Sequence, residues 1–293
     1  MPITEHQREV RRRYIGASDA AAVLGLDPYR NPSDVYHEKV TDLEPDESSE
    51  AATIGQVLED GILDWGAKER GVQIVKNQFR VHENGIMSIH YDALVKGNIA
   101  ESMECKTAGI LTPFDREEWG EVGTDEIPTR YIIQCQQGFS ILPELQTTWV
   151  PVLLGGVGLR MYRVDRNDEM VRFLEEFIPD FHHKHIVQKV PPVDPPPSME
   201  VLKRIKRMPA TTVPIDPALV TAWQDAKKVA KSAGEAEDLA KRAVLAALGD
   251  AEGAHCELGA ITYLETHKKS YVVKESSYRT LRFKEEKAHA KAS

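Results

Sequence analysis

The chain has 293 residues, of which 41% are hydrophobic and 28% are charged, enough for one large core or two domains. No apolar run approaches the length of a membrane span, and we expect no signal peptide from the polar N-terminus, so we predict a cytoplasmic protein. Three scattered cysteines are too few for a disulfide framework, a zinc site or an iron–sulfur cluster. The net charge of −9 argues against coating of nucleic acid by bulk attraction, but it is compatible with one basic groove.

The N-terminal region predicts three short helices and one candidate anion site. Residues 5–13 form an amphipathic pattern that ends in three arginines, and Ser18 or Asp19 would cap a helix over residues 19–25. Another short helix is predicted to start near Ser33. Ser18 and the nearby arginines suggest a phosphate site. The alternative is that Ser18 only caps the helix and the arginines only form a solvated face.

Residues 51–70 predict a long helix, because apolar residues recur there with the helical period. Glu59 lies beside this apolar stripe, so its side chain either points inward or is simply solvated. Gly71 is predicted to end the helix, and residues 72–82 predict a strand.

The segment 86–107 predicts two short strands joined by a polar turn. Asp92 lies on the first strand, and Glu104 and Lys106 lie on the second. Strand side chains alternate between faces, so Glu104 and Lys106 point one way and Cys105 points the other. Two acids and a lysine are poorly suited to a core, but they are well suited to a divalent metal beside an activated water.

A loop over residues 107–128, which contains Trp119, separates these strands from the next helix. Residues 130–142 predict that helix, and Tyr131 and Gln134 are neighbours on one of its faces. Such residues are also common in ordinary packing, so this pair alone indicates little.

Residues 147–154 and 159–166 predict a β-hairpin, whose turn accounts for the glycines between the two strands. Residues 168–184 predict a helix. The histidines at its end lack the helical spacing and the acidic partner of a metal site.

The stretch VPPVDPPPS at residues 190–198 is stiff and proline-rich, and it is the best domain boundary in the chain. We predict a first domain over residues 1–190, a connector over 191–215 and an appendage over 216–293. The appendage is either an interaction or DNA-contact module or a packing extension of the first domain. Its predicted elements are a helix over 216–248, with a possible break near Gly234, and strands over 255–264 and 269–283.

Several motifs also occur in a characteristic order: RRRYIGASDAAAVLG, IGQVLEDGI, HYDALV, ECKT and YIIQCQ. Asp92, Glu104 and Lys106 match the D…ExK form of the PD-(D/E)XK nuclease signature. The whole series resembles the YqaJ-like viral recombinase family, whose best-known relative is lambda exonuclease, over residues 8–190. The resemblance implies an α/β PD-(D/E)XK nuclease core, a central mixed sheet flanked by helices, followed by a C-terminal helical and β-strand appendage. One residue departs from the family pattern, because Tyr91 stands where a proline is usual.

The resemblance implies catalytic roles for six residues. Asp92 and Glu104 would bind the metal together with the backbone carbonyl of Cys105. Lys106 would orient or deprotonate the attacking water. Gln134 would help to position that water, and Glu59 would complete the acidic pocket.

The resemblance also implies a grip on the DNA end. Ser18 and Arg11, seven residues earlier, match positions that hold the 5′-phosphate, and Tyr131 belongs to the same DNA-contacting set. Arg12 and Arg13 are alternates to Arg11.

The implied activity is a Mg²⁺-dependent 5′→3′ exonuclease on double-stranded DNA that leaves a 3′ single strand. Two Mg²⁺ ions are expected, with Mn²⁺ able to substitute. The expected partners are DNA ends, a single-strand annealing protein and further copies of the chain in a homotrimeric ring. We expect a phage or prophage origin in a bacterial cytoplasm. The alternatives are an endonuclease of the same superfamily and a catalytically inactive DNA-binding recombination scaffold.

Overall fold

The computed structural model describes residues 9, 12–43, 49–111, 118–193, 195–206, 208, 211–267 and 281. The chain divides into two compact units, Met1–Arg207 and Met208–Ser293. Within the described ranges, no helix is both long enough and apolar enough to cross a bilayer.

Seven strands of the first unit form one mixed sheet. They are β1 (Ile15–Gly16), β2 (Ile74–Val81), β3 (Met87–Val95), β4 (Glu101–Met103), β5 (Lys106–Ala108), β6 (Thr147–Leu154) and β7 (Gly158–Asp165). β3 pairs antiparallel with β2 and β4 and parallel with β1. β6 pairs parallel with β4 and β5 and antiparallel with β7. The predicted central mixed sheet is confirmed, and so is the predicted hairpin.

Several helices of the first unit begin at a capping side chain. The helices are α1 (Ala17–Val23), α2 (Pro32–Val40), α3 (Glu50–Arg70), α4 (Thr129–Ile141), α5 (Asp168–Phe181), a π-helical turn (His182–Val187) and α6 (Met199–Arg204). The Ser49 side chain accepts the Ala52 N–H at the start of α3. Gly71 adopts the left-handed conformation, with φ 65°, at the end of that helix.

Both faces of the sheet are covered by helices. A large cluster joins α1, α4 and α5 to one face through side chains such as Ile15, Phe139 and Leu174. A smaller cluster packs Leu63 of α3 against Met103 of β4. Burial of one such large side chain stabilises the fold by roughly 1.5–3 kcal/mol, so these contacts fix the helices over the strands.

The predicted cap of α1 is wrong. The helix starts at Ala17, and the Asp19 carboxylate accepts the backbone N–H of Gly16 at 3.2 Å. Ser18 therefore lies inside the first turn, and its exposed side chain is not a cap. The reason lies in the tertiary structure: Asp19 is fixed in this position by Lys39 at 2.7 Å and Arg30 at 3.0 Å. Most of the predicted helix over residues 5–13 lies outside the described residues.

The proline-rich stretch lies against α2 of the first unit. The Ser33 hydroxyl donates to the Pro195 carbonyl at 2.7 Å, and the Ser198 N–H donates to the fully buried Asp34 carboxylate at 2.6 Å. These hydrogen bonds order a segment that local stiffness alone would leave extended in solvent.

The described residues of the second unit form one long helix and one hairpin. The elements are α7 (Pro217–Leu248), β8 (Gly253–Cys256) and β9 (Gly259–Thr262). α7 continues through Gly234 without a break. The single strand predicted over 255–264 is wrong, because Gly259, with φ 141°, permits a tight turn between two shorter strands. The strand predicted over 269–283 falls, apart from Leu281, outside the described residues.

Candidate active site

The candidate site lies where β3 and β4 separate. Their antiparallel pairing ends at Ala93 and Met103. The next residue along β3 is Asp92, and the next residue beyond β4 is Glu104. The two predicted metal-binding acids therefore meet at the mouth of a fork between neighbouring strands.

A shared register along β6 explains how the second strand presents its side chains. Met103 of β4 lies opposite Trp149, and three residues later Lys106 of β5 lies opposite Val152. β4 and β5 thus follow β6 in one register, and residues 104–105 are a short break between them. Strand alternation therefore persists through the interruption.

Glu104 is the centre of a short hydrogen-bond network. Its Oε1 accepts from Lys106 Nζ and from Gln134 Nε2, both at 2.5 Å. The Glu104 residue is only 5% exposed. Cys105, between the two, packs on the opposite side of the sheet against the α3 cluster. The alternation predicted for these three residues is what the structure has.

Tyr131 lies beside this network, one turn before Gln134 on α4. Lys106 Nζ is 4.9 Å from the centre of the Tyr131 ring, a distance that permits a cation–π interaction. The two neighbours predicted on one face of the helix thus contact Lys106 and Glu104, respectively.

Asp92 is held by the backbone of the neighbouring strand. Its Oδ2 accepts the Cys105 N–H at 2.8 Å. This bond turns the Asp92 carboxylate toward residues 104–105, and it occupies one lone-pair site of one oxygen.

A backbone irregularity lies directly across from Asp92. Asn77 of β2 has φ 56°, a left-handed conformation, and it lies between the residues paired with Tyr91 and Ala93. Tyr91 packs in the large cluster, whereas Ala93 packs in the small one, so these two side chains of β3 lie on different faces of the sheet. Residues two apart on a regular strand would share a face. The regular strand geometry is therefore interrupted at Asp92.

Burial and mutual repulsion shift the acids toward their neutral forms. Burial raises the pKa of Glu104 and the charge of Asp92 raises it further, against the opposing effects of Lys106 and Gln134, so that it reaches about 7. Burial also raises the pKa of Asp92, although Lys106 and the Cys105 N–H act against this. At neutral pH Glu104 is therefore about half protonated, and the pair carries two full negative charges only at higher pH, at a cost in free energy.

Lys106 stays charged despite its burial. Removal from water lowers the pKa of its ammonium, but the charges of Glu104 and Asp92 raise it above the ordinary value of a lysine. Lys106 is thus a fixed cation beside the two acids.

Glu59 of α3 lies at the edge of this charge cluster. Partial burial raises the pKa of Glu59, and the charge of Asp92 raises it further. The half-buried Glu59 side chain is therefore close enough to Asp92 to be affected by its charge.

The donor set suits a hard divalent cation. Asp92 and Glu104 offer carboxylate oxygens, and Cys105 between them has a backbone carbonyl. A cation would offset the burial that raises the pKa of both acids and the charge of Asp92 that raises the pKa of Glu104 further. Among the described residues, no three His, Cys, Asp or Glu side chains are grouped closely enough to hold a metal by themselves. Backbone and water oxygens would have to complete the shell, as is usual for Mg²⁺.

Ser18, Arg12 and Arg13, the predicted phosphate-binding residues and alternates that the structure describes, do not join the network around Glu104. Ser18 makes no hydrogen bond to Asp92, Glu104 or Lys106, all of which lie in the described part of the chain. Arg12 pairs with Asp42 at 3.1 Å, and the Arg13 guanidinium lies 5.3 Å from the Tyr14 ring. Arg11 lies outside the described residues.

Sequence reasoning missed three residues near the site. Arg130 lies against the Tyr131 ring at 4.6 Å and against the Tyr29 ring at 5.3 Å. Asn77 faces Asp92 from β2. Asparagine is enriched at positive φ, so an asparagine within a strand pattern was a weak signal. No local pattern links Tyr29 to Arg130, because they are far apart in the chain.

The comparisons with known proteins agree with this architecture. The sequence model of the YqaJ-like viral recombinase domain matches residues 7–142. The protein designated Uncharacterized protein YqaJ, of Bacillus subtilis (strain 168), is 31% identical over 165 residues. The alignment covers 55% of this chain and 50% of that protein, so the chain spans about half the length of this relative.

Among solved structures, the alkaline exonuclease LHK-Exo of Laribacter hongkongensis is similar, with a TM-score of 0.51 and 17% identity. The match covers 63% of this chain and 94% of that enzyme. The same enzyme in complex with dAMP matches equally well. At this identity the likeness establishes the shared fold, a central mixed sheet flanked by helices. Residues 7–142 of the chain are thus similar in sequence to the YqaJ-like viral recombinase domain, within a fold that the chain shares with LHK-Exo.

Proposed function

We propose that this protein is a Mg²⁺-dependent deoxyribonuclease that degrades double-stranded DNA from 5′ ends and leaves 3′ single strands. The observation that carries the proposal is the fork between β3 and β4. The buried Glu104, the half-buried Asp92, a charged lysine and a glutamine converge there. The family match over residues 7–142 supports the same reaction class.

The side chains suit hydrolysis of a phosphodiester. The substrate phosphate is anionic, so an attacking water needs a positive environment and a fixed direction. Lys106 Nζ, held against Glu104, supplies a permanent cation on the side from which water would approach. Gln134 donates to the same Glu104 oxygen as Lys106, so the two side chains together hold that carboxylate in one orientation.

Asp92, Glu104 and the Cys105 carbonyl would hold the metal, and we propose two ions, with Mn²⁺ able to replace Mg²⁺. Bound there, such ions supply charge neutralisation and lower the pKa of a coordinated water. Glu59, whose pKa is raised by Asp92, completes the acidic pocket.

The 5′→3′ direction depends on the family resemblance and on a grip for the 5′-phosphate. We assign that grip to Ser18 and Arg11, with Arg12 and Arg13 as alternates, and a further DNA contact to Tyr131. The exposure of Ser18 supports its availability for a ligand.

The proposed partners follow from the same resemblance. They are DNA ends, a single-strand annealing protein that receives the product strand, and two further copies of the chain in a ring. The proposed setting is recombination of phage or prophage DNA in the bacterial cytoplasm. The structural match to an alkaline exonuclease supports the fold that such a protein requires.

End-specific digestion tests the activity. The substrates are a linear duplex with 5′-phosphates, the same duplex with 5′-hydroxyls, and a closed circle, each with Mg²⁺, Mn²⁺ or EDTA. We expect metal-dependent loss of the 5′-phosphorylated linear duplex, with 3′ single strands as products. Cutting of the circle would indicate an endonuclease. Binding without any cleavage in either metal would indicate an inactive scaffold.

A further inference from the structure

A row of alternating cations and aromatic rings leads from the candidate site toward the surface. It begins at Lys106, whose Nζ is 4.9 Å from the Tyr131 ring. On α4, the Arg130 guanidinium lies 4.6 Å from the Tyr131 ring and 5.3 Å from the Tyr29 ring. Each member thus contacts the next, and the row ends at Tyr29.

Tyr29 is the exposed end of the row. It is 61% exposed, an unusual position for an aromatic side chain that already contacts a cation. The loop that carries it is anchored, because the Asp27 carboxylate accepts the Tyr29 N–H at 2.8 Å. The next residue, Arg30, bonds to Asp19 at 3.0 Å and also to Glu38. The ring is therefore presented to solvent from a rigid backbone.

Arg130 is placed for stacking more than for charge. Glu118 pairs with its guanidinium at 2.9 Å and neutralises it, and the Arg130 side chain is only 11% exposed. A neutralised guanidinium attracts a phosphate weakly, but its flat face still stacks on rings. The row therefore offers the exposed ring of Tyr29 at its outer end, with the Arg130 guanidinium packed against that ring.

We propose that Tyr29 and Arg130 form a stacking subsite for a nucleobase of the strand that is being cut. This inference rests on the proposed nuclease function. Bases of every type stack on aromatic rings and on guanidinium planes, so the subsite would hold a nucleotide near the scissile phosphate without selecting a sequence. It would act by positioning the strand end, since neither side chain reaches the acids or Lys106 directly.

The test pairs a protein change with a substrate change. Cleavage is measured for the full-length wild type, Tyr29→Ala and Tyr29→Phe on 5′-phosphorylated duplexes. The duplexes carry a normal nucleotide or an abasic analogue at the first, second or third position from the 5′ end. Phe173→Ala is the matched control, because Phe173 is also an exposed aromatic residue, 45% exposed, but lies on α5 outside the site.

We expect Tyr29→Ala to lower kcat/KM about tenfold on normal DNA, mostly through KM, as for the loss of one stacked base. Tyr29→Phe, which keeps the ring, should retain wild-type values, and so should Phe173→Ala. At one of the three positions, the abasic substrate should lower the kcat/KM of the wild type about tenfold. The same substrate should not lower the kcat/KM of Tyr29→Ala any further. Arg130→Gln should show the same loss at the same position.

If the loss from Tyr29→Ala and the loss from the abasic nucleotide multiply at all three positions, the subsite is overturned. The proposed nuclease function would be unaffected. Retention of full activity by Tyr29→Ala on normal DNA would overturn the subsite equally. If the wild type cleaves no substrate, the proposed function fails, and the subsite fails with it.

Discussion

Glu104 is the residue on which the energetics of the site depend. Its carboxylate is buried, faces the charge of Asp92 and is bonded by Lys106 and Gln134. A carboxylate in such a place is unfavourable unless a cation compensates it. The same repulsion that destabilises the metal-free fold is thus the source of affinity for a divalent ion.

This repulsion predicts how stability depends on pH. The folded-state pKa of Glu104 is raised from 4.5 to about 7. The stability that this group contributes to the folded protein is therefore fully present below pH 4.5 and is lost as the pH rises through 7. In EDTA, wild-type stability should fall by roughly 3 kcal/mol from this group between pH 4.5 and 8. Denaturant unfolding at several pH values measures it, with Glu104→Gln as the comparison.

The Glu104→Gln protein should lack that pH-dependent loss, and Mg²⁺ should restore the wild-type stability at pH 8. If the unfolding free energy falls equally with pH in the wild type and in Glu104→Gln, other groups cause the pH dependence. No effect of Mg²⁺ on the wild type would contradict the metal site itself.

Lys106 is the second residue with a sharp consequence. Lys106→Met keeps most of the buried stem but removes the cation, so cleavage should fall at least 100-fold while DNA binding changes less than threefold. Steady-state cleavage and a binding assay on the same duplex measure the two effects. The control is Lys76→Met. Lys76 lies on the neighbouring β2 strand and pairs with Asp60 and Asp64 of α3. Substantial residual cleavage by the Lys106 variant would remove this residue from the mechanism.

Ser18 separates the direction of cleavage from its chemistry. Ser18→Ala should raise KM several-fold for 5′-phosphorylated ends and leave 5′-hydroxyl ends nearly unaffected, because only one hydrogen bond to phosphate is lost. Initial rates on the two substrates give the ratio, with Ser232→Ala on α7 as a control. An equal loss on both ends would reduce Ser18 to an ordinary surface residue.

Among the elements, β2 carries a backbone irregularity directly opposite a residue of the candidate site. Asn77 adopts φ 56° opposite Asp92, where the faces of β3 change. The Gln78 side chain donates to the Lys76 carbonyl at 2.9 Å and to the Asn77 carbonyl at 3.4 Å. The irregularity is therefore built into the strand and hydrogen-bonded by it. Its position beside a candidate metal ligand suggests that it orients that ligand.

Substitution of Asn77 tests this orientation. Glycine tolerates positive φ, so Asn77→Gly should keep cleavage within about twofold. Asn77→Val should destabilise the fold by about 1–3 kcal/mol, because a β-branched residue resists that conformation, and should raise the Mg²⁺ concentration needed for half-maximal cleavage. Thermal unfolding and a Mg²⁺ titration of activity are the measurements. A valine variant with unchanged metal dependence would make the irregularity merely structural.

For the whole molecule, the net charge of −9 means that DNA, the proposed substrate, would be held by local groups and not by the overall field. A ring of three copies would bring such local groups together around one duplex. Light scattering should then give three times the 32.8 kDa chain mass over a range of protein concentrations. A monomeric mass at all concentrations would contradict the ring and would leave the cleavage site unaffected.

Much of the fold was accessible from the sequence, because its signals are local. The helical period of α3 and the glycine after it placed that helix, and the β6–β7 hairpin followed from two strand patterns around a glycine turn. Strand alternation put Glu104 and Lys106 on one face. The hairpin of β8 and β9 was missed because its turn divides a stretch that reads as one strand.

The sequence by itself determined which side chains are the candidates for the proposed chemistry, since residue type and spacing along one strand are local properties. The tertiary structure decided how they meet. Pairing with β6 carries one register through the break at residues 104–105, and packing of α4 brings Gln134 to Glu104. Tyr29 and Arg130 become neighbours only because separate segments fold over the same sheet. Contacts between distant segments depend on the packing of the whole core, and no pattern within either segment specifies them.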